Sequence, residues 1–409
     1  MQDIGGGERR NAHPIVFLVL YLPFGMSGGY FSGALGFLLS KGGVSTLALG
    51  GILALAILPH TFKVLWAPVV DTTLTVKTWY VLATTVVCVS LAATGFLPME
   101  AKSLGAITVL VLITSVASTF SGMACESLMA NATAPDQKGR AGGWSQAGNV
   151  GGAGLGGGVG LAIANNFHSV PASSCVVGAL MAACAAALLF TPEPDRSHRR
   201  PNYFASLWVV AKECWQAVWS RAGFLTLLIF VLPIGTSTAA GLFAAVAKQW
   251  RASANLVAGL TSVAAVVTMA GAIGGGWLCD RMDRRTAYGV FGVIQAAVAV
   301  GMALGPRTPT FFVIFGLAYA ATIGLTYAAF ASVTLEAIGV GAAATKFNLF
   351  ACVSNIPIAY MDVVEGWANN RWNAGGMLLT EATLSIGAVV LFAVLALTTR
   401  RRQAMAVAI

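Results

Sequence analysis

Apolar residues run along this chain in long blocks, not in short alternations. Blocks fall near residues 15–40, 46–69, 78–98, 104–130, 143–165, 171–190, 222–247, 254–278, 286–304, 309–335, 342–368 and 376–398. A helix needs about 20 apolar residues to cross a bilayer core, so the pattern predicts twelve spanning helices. Turn-rich or charged breaks separate them, among them SKGGVS, LPMEAKS, APDQKGR and GPRTP. The opening MQDIGGGERRNAHP leads into an apolar run too long for a signal-peptide core and without a cleavage site, which predicts a retained first span.

The longest break, TPEPDRSHRRPNYFASLWVVAKECWQAVWSR, follows the sixth block. Its first part is polar and proline-bearing. Its second part spaces Trp208, Lys212, Trp215 and Trp219 as one helical face, which suits a helix lying along a membrane interface. The expected organisation is a six-helix bundle over 1–190, a cytoplasmic linker with an amphipathic helix over 191–221, and a second six-helix bundle with a short basic tail over 222–409. The halves also resemble each other. Leu22-Pro23-Phe24-Gly25 answers Leu232-Pro233-Ile234-Gly235, Asp71 answers Asp280, and Glu126 answers Glu336. A shared offset across three pairs predicts a parallel internal repeat.

Composition agrees. The chain of 409 residues is 57% hydrophobic and 10% charged, with a mean hydropathy of +0.78. Soluble domains carry about 25% charged residues. The net charge of +9 lies in the breaks and forms no stripe of the kind nucleic acid requires. With the N-terminus inside, eighteen Lys and Arg fall on the cytoplasmic side and six outside, which predicts cytoplasmic termini and an even number of spans. The seven cysteines are scattered without a CxxC and the four histidines make no HExxH, so no metal site is expected. Gly152-x-Gly154-x-x-Gly157 matches a dinucleotide fingerprint formally. It lies in a membrane block with no preceding strand, and no cofactor is expected.

The loop GGGWLCDRMDRR resembles the Gly-x-Leu-x-Asp-Arg-x-x-Arg-Arg signature of the major facilitator superfamily, through Gly276, Leu278, Asp280, Arg281, Arg284 and Arg285. The corresponding first-half loop, WAPVVDTTLTVK, keeps Asp71 without the arginines. FKVLWAPVVD, preceded by LP, together with LPFG in helix 1, is similar to the AmpG-type muropeptide permeases, a family that includes acetyl-CoA transporters and inner-membrane siderophore permeases. DQKGRAGGWSQAGNVGGAGLGGG is similar to that family's ERG motif and glycine-rich fifth helix, with Lys138-Gly139-Arg140 in place of the usual order. The chain has no room for the two extra helices of longer members. The resemblance implies an all-α fold of two pseudo-symmetric six-helix bundles, with helices 1, 4, 7 and 10 lining a cavity and helices 5 and 11 contributing. It also implies a bacterial inner-membrane permease. Asp71, Asp280, Arg281, Arg284, Arg285 and Glu336 are its expected gate, the loop acids and arginines pairing between bundles.

Two charges have no repeat counterpart. His60 and Lys63 interrupt an apolar block, where a lysine costs roughly 2.5–3.5 kcal/mol on insertion scales. Their spacing of three puts both on one helical face. They are the expected substrate contacts, Lys63 attracting an anionic group and His60 lending a titratable partner. Asp362 and Glu365, one turn apart in helix 11, are expected proton carriers, with Glu126 and His60 as rivals. Tyr21, Tyr30, Trp144, Gln146, Asn149, Tyr327, Asn348 and Asn355 are the polar and aromatic residues available to line a cavity. Gly148, Gly152, Gly156 and Gly160 recur every fourth residue and predict a close-packing helix face.

These observations predict a non-enzymatic, proton-coupled permease, a monomer in a lipid bilayer, importing a bulky polar or anionic solute such as an anhydro-muropeptide or a ferric siderophore. Three alternatives are weighed against it. An efflux antiporter of the same superfamily is disfavoured because Ala153 stands where the antiporter motif has proline. A membrane-embedded acyl-transfer enzyme lacks a nucleophile–base motif. A signalling receptor derived from a transporter lacks long cytoplasmic segments.

Overall fold

A computed structural model describes residues 11–194, 203–339 and 342–407. Among them the chain is helical, with no strand. In the first half α1 (Val16–Lys41), α2 (Thr46–Phe62), α3 (Val76–Thr94), α4 (Leu104–Ala132), α5 (Lys138–Asn166) and α6 (Val170–Cys184) follow in order. A linker helix (Tyr203–Trp219) leads to α7, which is split into Arg221–Val231 and Ala239–Val246. Then come α8 (Ala254–Cys279), α9 (Arg284–Leu304) and α10 (Pro309–Ile338). The last helix, Ala343–Val407, is bent at Trp372 and Asn373 into α11 (343–371) and α12 (374–407). That is twelve passages, as the apolar blocks predict. Nine stretches are by themselves long and apolar enough to span, and one of these, Ala343–Leu397, contains both α11 and α12. The remaining two are α5, whose glycines dilute its hydropathy, and the interrupted α7.

Glycine sets the spacing inside each half. On α1, a Cβ at Gly29 would sit 1.9 Å from the Ala153 carbonyl oxygen. On α5, Cβ atoms at Gly148, Gly152 and Gly156 would lie 2.0–2.4 Å from the carbonyls of Leu18, Leu22 and Met26. The two backbones therefore touch, and any larger residue would force them apart. The expected packing face of α5 is real, and α1 is its partner. The second half repeats the device between α8 and α10, through Gly271 against Ala321 and Gly324 against Thr268.

The repeated Leu-Pro-x-Gly motif folds in two ways. In α1, Pro23 sits inside a continuous helix. In α7 the helix stops at Leu232, which is extended (ψ 147°), as residues before proline prefer. Gly235 and Ser237 then take positive φ before the helix resumes. The continuous helix expected over 222–247 is thus corrected to two pieces around an unwound segment.

Buried apolar residues divide unevenly. One cluster joins both halves, with Phe17, Leu20 and Leu128 packed together with Phe291, Val333 and Phe347. At the other end of the molecule the halves keep separate cores, one around Tyr30, Leu91 and Ile107 and the other around Trp250, Phe312 and Met377. The shared core lies at the end carrying Lys138, Arg140, Arg284 and Arg285, called here the basic end. There the halves also meet backbone to backbone, where a Cβ at Gly143 would fall 2.4 Å from the Ala272 carbonyl oxygen and 2.9 Å from Gly276 Cα.

That contact predicts a simple outcome. Gly143→Leu wedges α5 from α8, so Cys279, buried in the shared core, reacts several-fold faster with a thiol reagent than in the wild type. An unchanged labelling rate would mean that this contact does not hold the basic end shut.

Candidate functional site

Between the halves lies a cavity of about 270 Å³ lined by residues of both, including Tyr21, His60, Lys63 and Glu126 from the first and Thr236, Tyr327 and Asn355 from the second. A neighbouring space of about 360 Å³, lined by α1, α2, α4 and α5, shares Phe24, His60 and Asn149 with it.

Lys63 reaches this cavity because α2 gives way beneath it. Pro59 removes one backbone donor, and the helix ends at Phe62. A single 3-10 turn, Lys63–Leu65, follows before helix resumes at Ala67–Thr72 with a proline in its first turn. The Trp66 indole N–H donates to Thr119 Oγ1 at 3.0 Å and fixes the turn against α4. Lys63 is left buried, with 8% exposure.

Its Nζ lies 3.3 Å from Glu126 Oε1, itself buried. The same oxygen accepts the Tyr21 hydroxyl at 2.8 Å, while Oε2 accepts Asn348 Nδ2 at 2.6 Å. Glu126 is therefore held by one cation and two donors, and one of those donors belongs to α11 in the other half. Two dehydrated charges tolerate such a place only when paired and hydrogen-bonded. Phe24 covers the pair, its ring centre 6.0 Å from Nζ, and stacks edge-on with His60 at 5.1 Å. His60 Nε2 lies 3.4 Å from both Ser115 Oγ and Ser118 Oγ.

At the basic end each half's loop acid binds the start of a helix in the other half. Asp71 accepts the N–H groups of Ala344 (3.2 Å) and Thr345 (2.8 Å) and the Thr345 hydroxyl (2.6 Å), capping α11. Asp280 accepts the N–H groups of Gly139 (2.6 Å) and Arg140 (3.0 Å) and the Arg140 guanidinium (2.9 Å), capping α5. Helix N-termini favour anions because their first N–H groups lack internal partners. The two latches are related by the internal repeat.

The arginines arrange themselves differently from the expectation of acid–arginine pairs between bundles. Arg284 and Arg285 bind Glu336 at 3.0 and 3.2 Å inside the second half, and Arg284 also approaches Asp280 at 3.6 Å. Arg284 also reaches across, donating to the Pro135 carbonyl at 2.7 Å. Arg281 stacks on Trp277 at 3.4 Å. The ion pair that does cross is Arg140–Asp280, since the backbone N–H groups of Gly139 and Arg140 already draw Asp280 toward α5. Lys138 follows the same route, its Nζ donating to the Leu335 carbonyl at 2.6 Å.

Of the other expected contacts, Gln146, Asn149, Tyr327 and Asn355 line the cavity. Tyr30 is fully buried in the first-half core against α5, one turn or more past the cavity wall, and Trp144 is not among the lining residues. Glu126 and Glu336 do not occupy equivalent places, the first being buried beside Lys63 and the second partly exposed at the basic end. Asp362 is exposed, whereas Glu365, one turn on, is fully buried and accepts the Thr238 hydroxyl. Sequence reasoning missed Thr236, Thr326 and Ser354 on the wall, and it missed Glu381 of α12, buried behind α7. A carboxylate inside an apolar block was the available signal for Glu381, the same signal that singled out Lys63.

Two pseudo-symmetric helical bundles around a shared polar cavity, latched at one end, define a transporter of the alternating-access type. The sequence matches the family described as Major Facilitator Superfamily over residues 16–361, and the chain belongs to that superfamily. No curated protein matches it. Solved structures share the fold at low identity. The human organic anion transporter MFSD10 (TETRAN) aligns with a TM-score of 0.72 at 14% identity, over 92% of this chain and 98% of that one. A variant of the E. coli fucose:proton symporter FucP aligns with 0.70 at 14%, over 93% and 97%. The proton:xylose symporter XylE, bound to 6-bromo-6-deoxy-D-glucose, aligns with 0.63 at 15%, over 92% and 94%.

The Lys63–Glu126 pair predicts a non-additive stability cycle. Lys63→Met or Glu126→Met alone strands one buried charge and costs about 3–5 kcal/mol, whereas the double substitution recovers most of that loss. Thermal unfolding of the four purified proteins measures it, and simple additivity would contradict the pairing.

Proposed function

We propose that this transporter is a proton-coupled symporter importing a bulky anionic or polar solute across the bacterial inner membrane, its basic end and both termini in the cytoplasm. The observation that carries the reading is the buried lysine in the central cavity whose counter-ion is another side chain. In the resting site Glu126 serves as an internal anion. A substrate carboxylate or phosphate that takes Lys63 must displace Glu126, and a proton on Glu126 makes that exchange electrically neutral. The same displacement weakens the bond from Asn348, which ties the two halves together beside the cavity.

The cycle follows from these contacts. With the basic end latched, solute enters from the opposite side, docks at Lys63 with Gln146, Asn149, Tyr327 and Asn355 around it, and Glu126 takes up a proton. Loss of the bond between Glu126 and Asn348 then lets the Asp71 and Asp280 latches release and the halves rock about the site. His60 and Asp362 remain candidate proton relays. We assign the 1–190 and 222–409 bundles as the moving bodies and the 191–221 linker as a cytoplasmic interface anchor, through its helix Tyr203–Trp219 with Trp208, Trp215 and Trp219 exposed; residues 195–202 of the linker lie outside the described residues. The AmpG-like FKVLWAPVVD and LPFG motifs favour anhydro-muropeptides, ferric siderophores or acyl-CoA as solutes, all of which carry anionic groups. Similarity to sugar:proton symporters and to an organic anion transporter supports the same class. The runner-up is efflux by antiport through the same site.

Uptake of labelled muropeptide, ferric siderophore and acetyl-CoA into proteoliposomes tests this directly. One anionic solute is expected to accumulate only with an imposed proton gradient and to lose at least ten-fold in rate with Lys63→Ala. Accumulation that ignores both the gradient and the substitution would refute it. Neutralising a latch gives an independent check, because Asp280→Asn weakens the cap on α5 and is expected to cut transport several-fold while protein levels stay unchanged.

A further inference from the structure

The unwound segment of α7 has two faces. Gly235 and Thr236 line the cavity, and the Thr236 hydroxyl is buried there without a partner. The next two residues point away, into a second buried polar cluster that the cavity does not include. Thr238 donates to Glu365 Oε1 of α11. Ser237 Oγ and Gln295 Nε2 lie 3.0 Å apart, and the same amide nitrogen is 3.2 Å from Glu381 Oε1 of α12. Tyr319 of α10 donates to that oxygen at 2.5 Å. Helices α9, α10, α11 and α12 thus converge behind two consecutive residues, Ser237 and Thr238, of a broken fifth.

Both carboxylates are almost wholly buried, Glu365 at 0% and Glu381 at 3% exposure, and Glu381 acts electrostatically on Glu365. Each has one oxygen that accepts hydrogen bonds and the other, Oε2, buried with no hydrogen-bond partner. The charged and titratable groups facing them are each other, Tyr319 and the exposed Asp362; α7 and α9 contribute only hydroxyls and an amide. No lysine, arginine or histidine among the described residues pairs with either. Two like charges in dry surroundings with no cation between them are not a stable arrangement, whereas one proton on an Oε2 leaves a single charge, with Thr238, Gln295 and Tyr319 donating to the pair.

We infer that Glu365 and Glu381 form a second proton-binding site, which holds the broken segment of α7 together and is sensed by the cavity through Gly235 and Thr236. This rests on the proton-coupled reading and locates a proton apart from Lys63. With the proton bound, Thr238 and the Ser237–Gln295 bridge pull the segment onto α11 and α12. With it lost, the two carboxylates repel, the bridges part and the outer piece of α7 is released. A solute contacting Thr236 favours one of these states, and by reciprocity the proton favours or disfavours the solute.

Infrared difference spectroscopy on the purified full-length chain in lipid, without solute or gradient, tests this. Wild type is expected to show a protonated-carboxyl band that vanishes in alkaline buffer, and the Glu365→Gln/Glu381→Gln double variant to lack it. Tyr319→Phe removes a hydrogen bond to Glu381 and is expected to move the band to higher frequency, which also covers the case in which the double variant does not fold. A band absent from the wild type, or unmoved by all of these changes, overturns the inference. So does loss of the band on adding sodium chloride but not choline chloride, which would make the pair a sodium site. Failure here leaves anion binding at Lys63 standing, and failed uptake leaves this band standing.

Discussion

The structure depends on a buried cation that has nowhere to go. Lys63 is set in a single turn between two apolar helical pieces, buried and too charged to be left alone, and Glu126 answers it at 3.3 Å. A pair of this kind contributes little net stability against an apolar alternative, because both charges lose their water. In the proposed cycle it supplies a position that an external anion takes. Both partners lie in the first bundle, yet Asn348 of α11, in the second, holds the other oxygen of the same carboxylate. The chemistry of the site and the closure of the two halves therefore share one side chain.

Around that point the molecule is built for two arrangements. Within each half, glycine faces press backbones together, which suits the proposed cycle in which each bundle moves as a unit. Between halves, the contacts gather at the basic end, where two aspartates cap helices of the opposite bundle. Capping bonds of this sort are directional and few. They break together when the helices they cap turn away, without disturbing either core. At the far end the two halves keep separate apolar cores, so no shared core ties them there.

Much of this was legible in the sequence. The apolar blocks gave the passages, the offset pairs gave the repeat, and unmatched charges in apolar surroundings drew attention to His60 and Lys63. The features that escaped were those set by tertiary context. Leu-Pro-x-Gly occurs twice, yet α1 carries its proline through a continuous helix pressed against α5 while α7 breaks, and the motif alone does not distinguish the two. Glu381 lies sixteen residues from Glu365 across the bend at Trp372 and Asn373, which no proline marks, so their meeting required coordinates. The arginines of the second loop looked like natural partners for the opposite bundle. Glu336 is closer, and a backbone capping site on α5 offers Asp280 more bonds than an arginine would.

Proton uptake on binding an anionic solute is the most direct measure of whether Glu126 and solute compete for Lys63. Measured as the pH change of a lightly buffered solution of purified protein, the account predicts one proton taken up for each anion bound. It also predicts none with Glu126→Gln, which would bind the anion without it. Anion binding that draws no proton in the wild type, and is indifferent to Glu126→Gln, would contradict it.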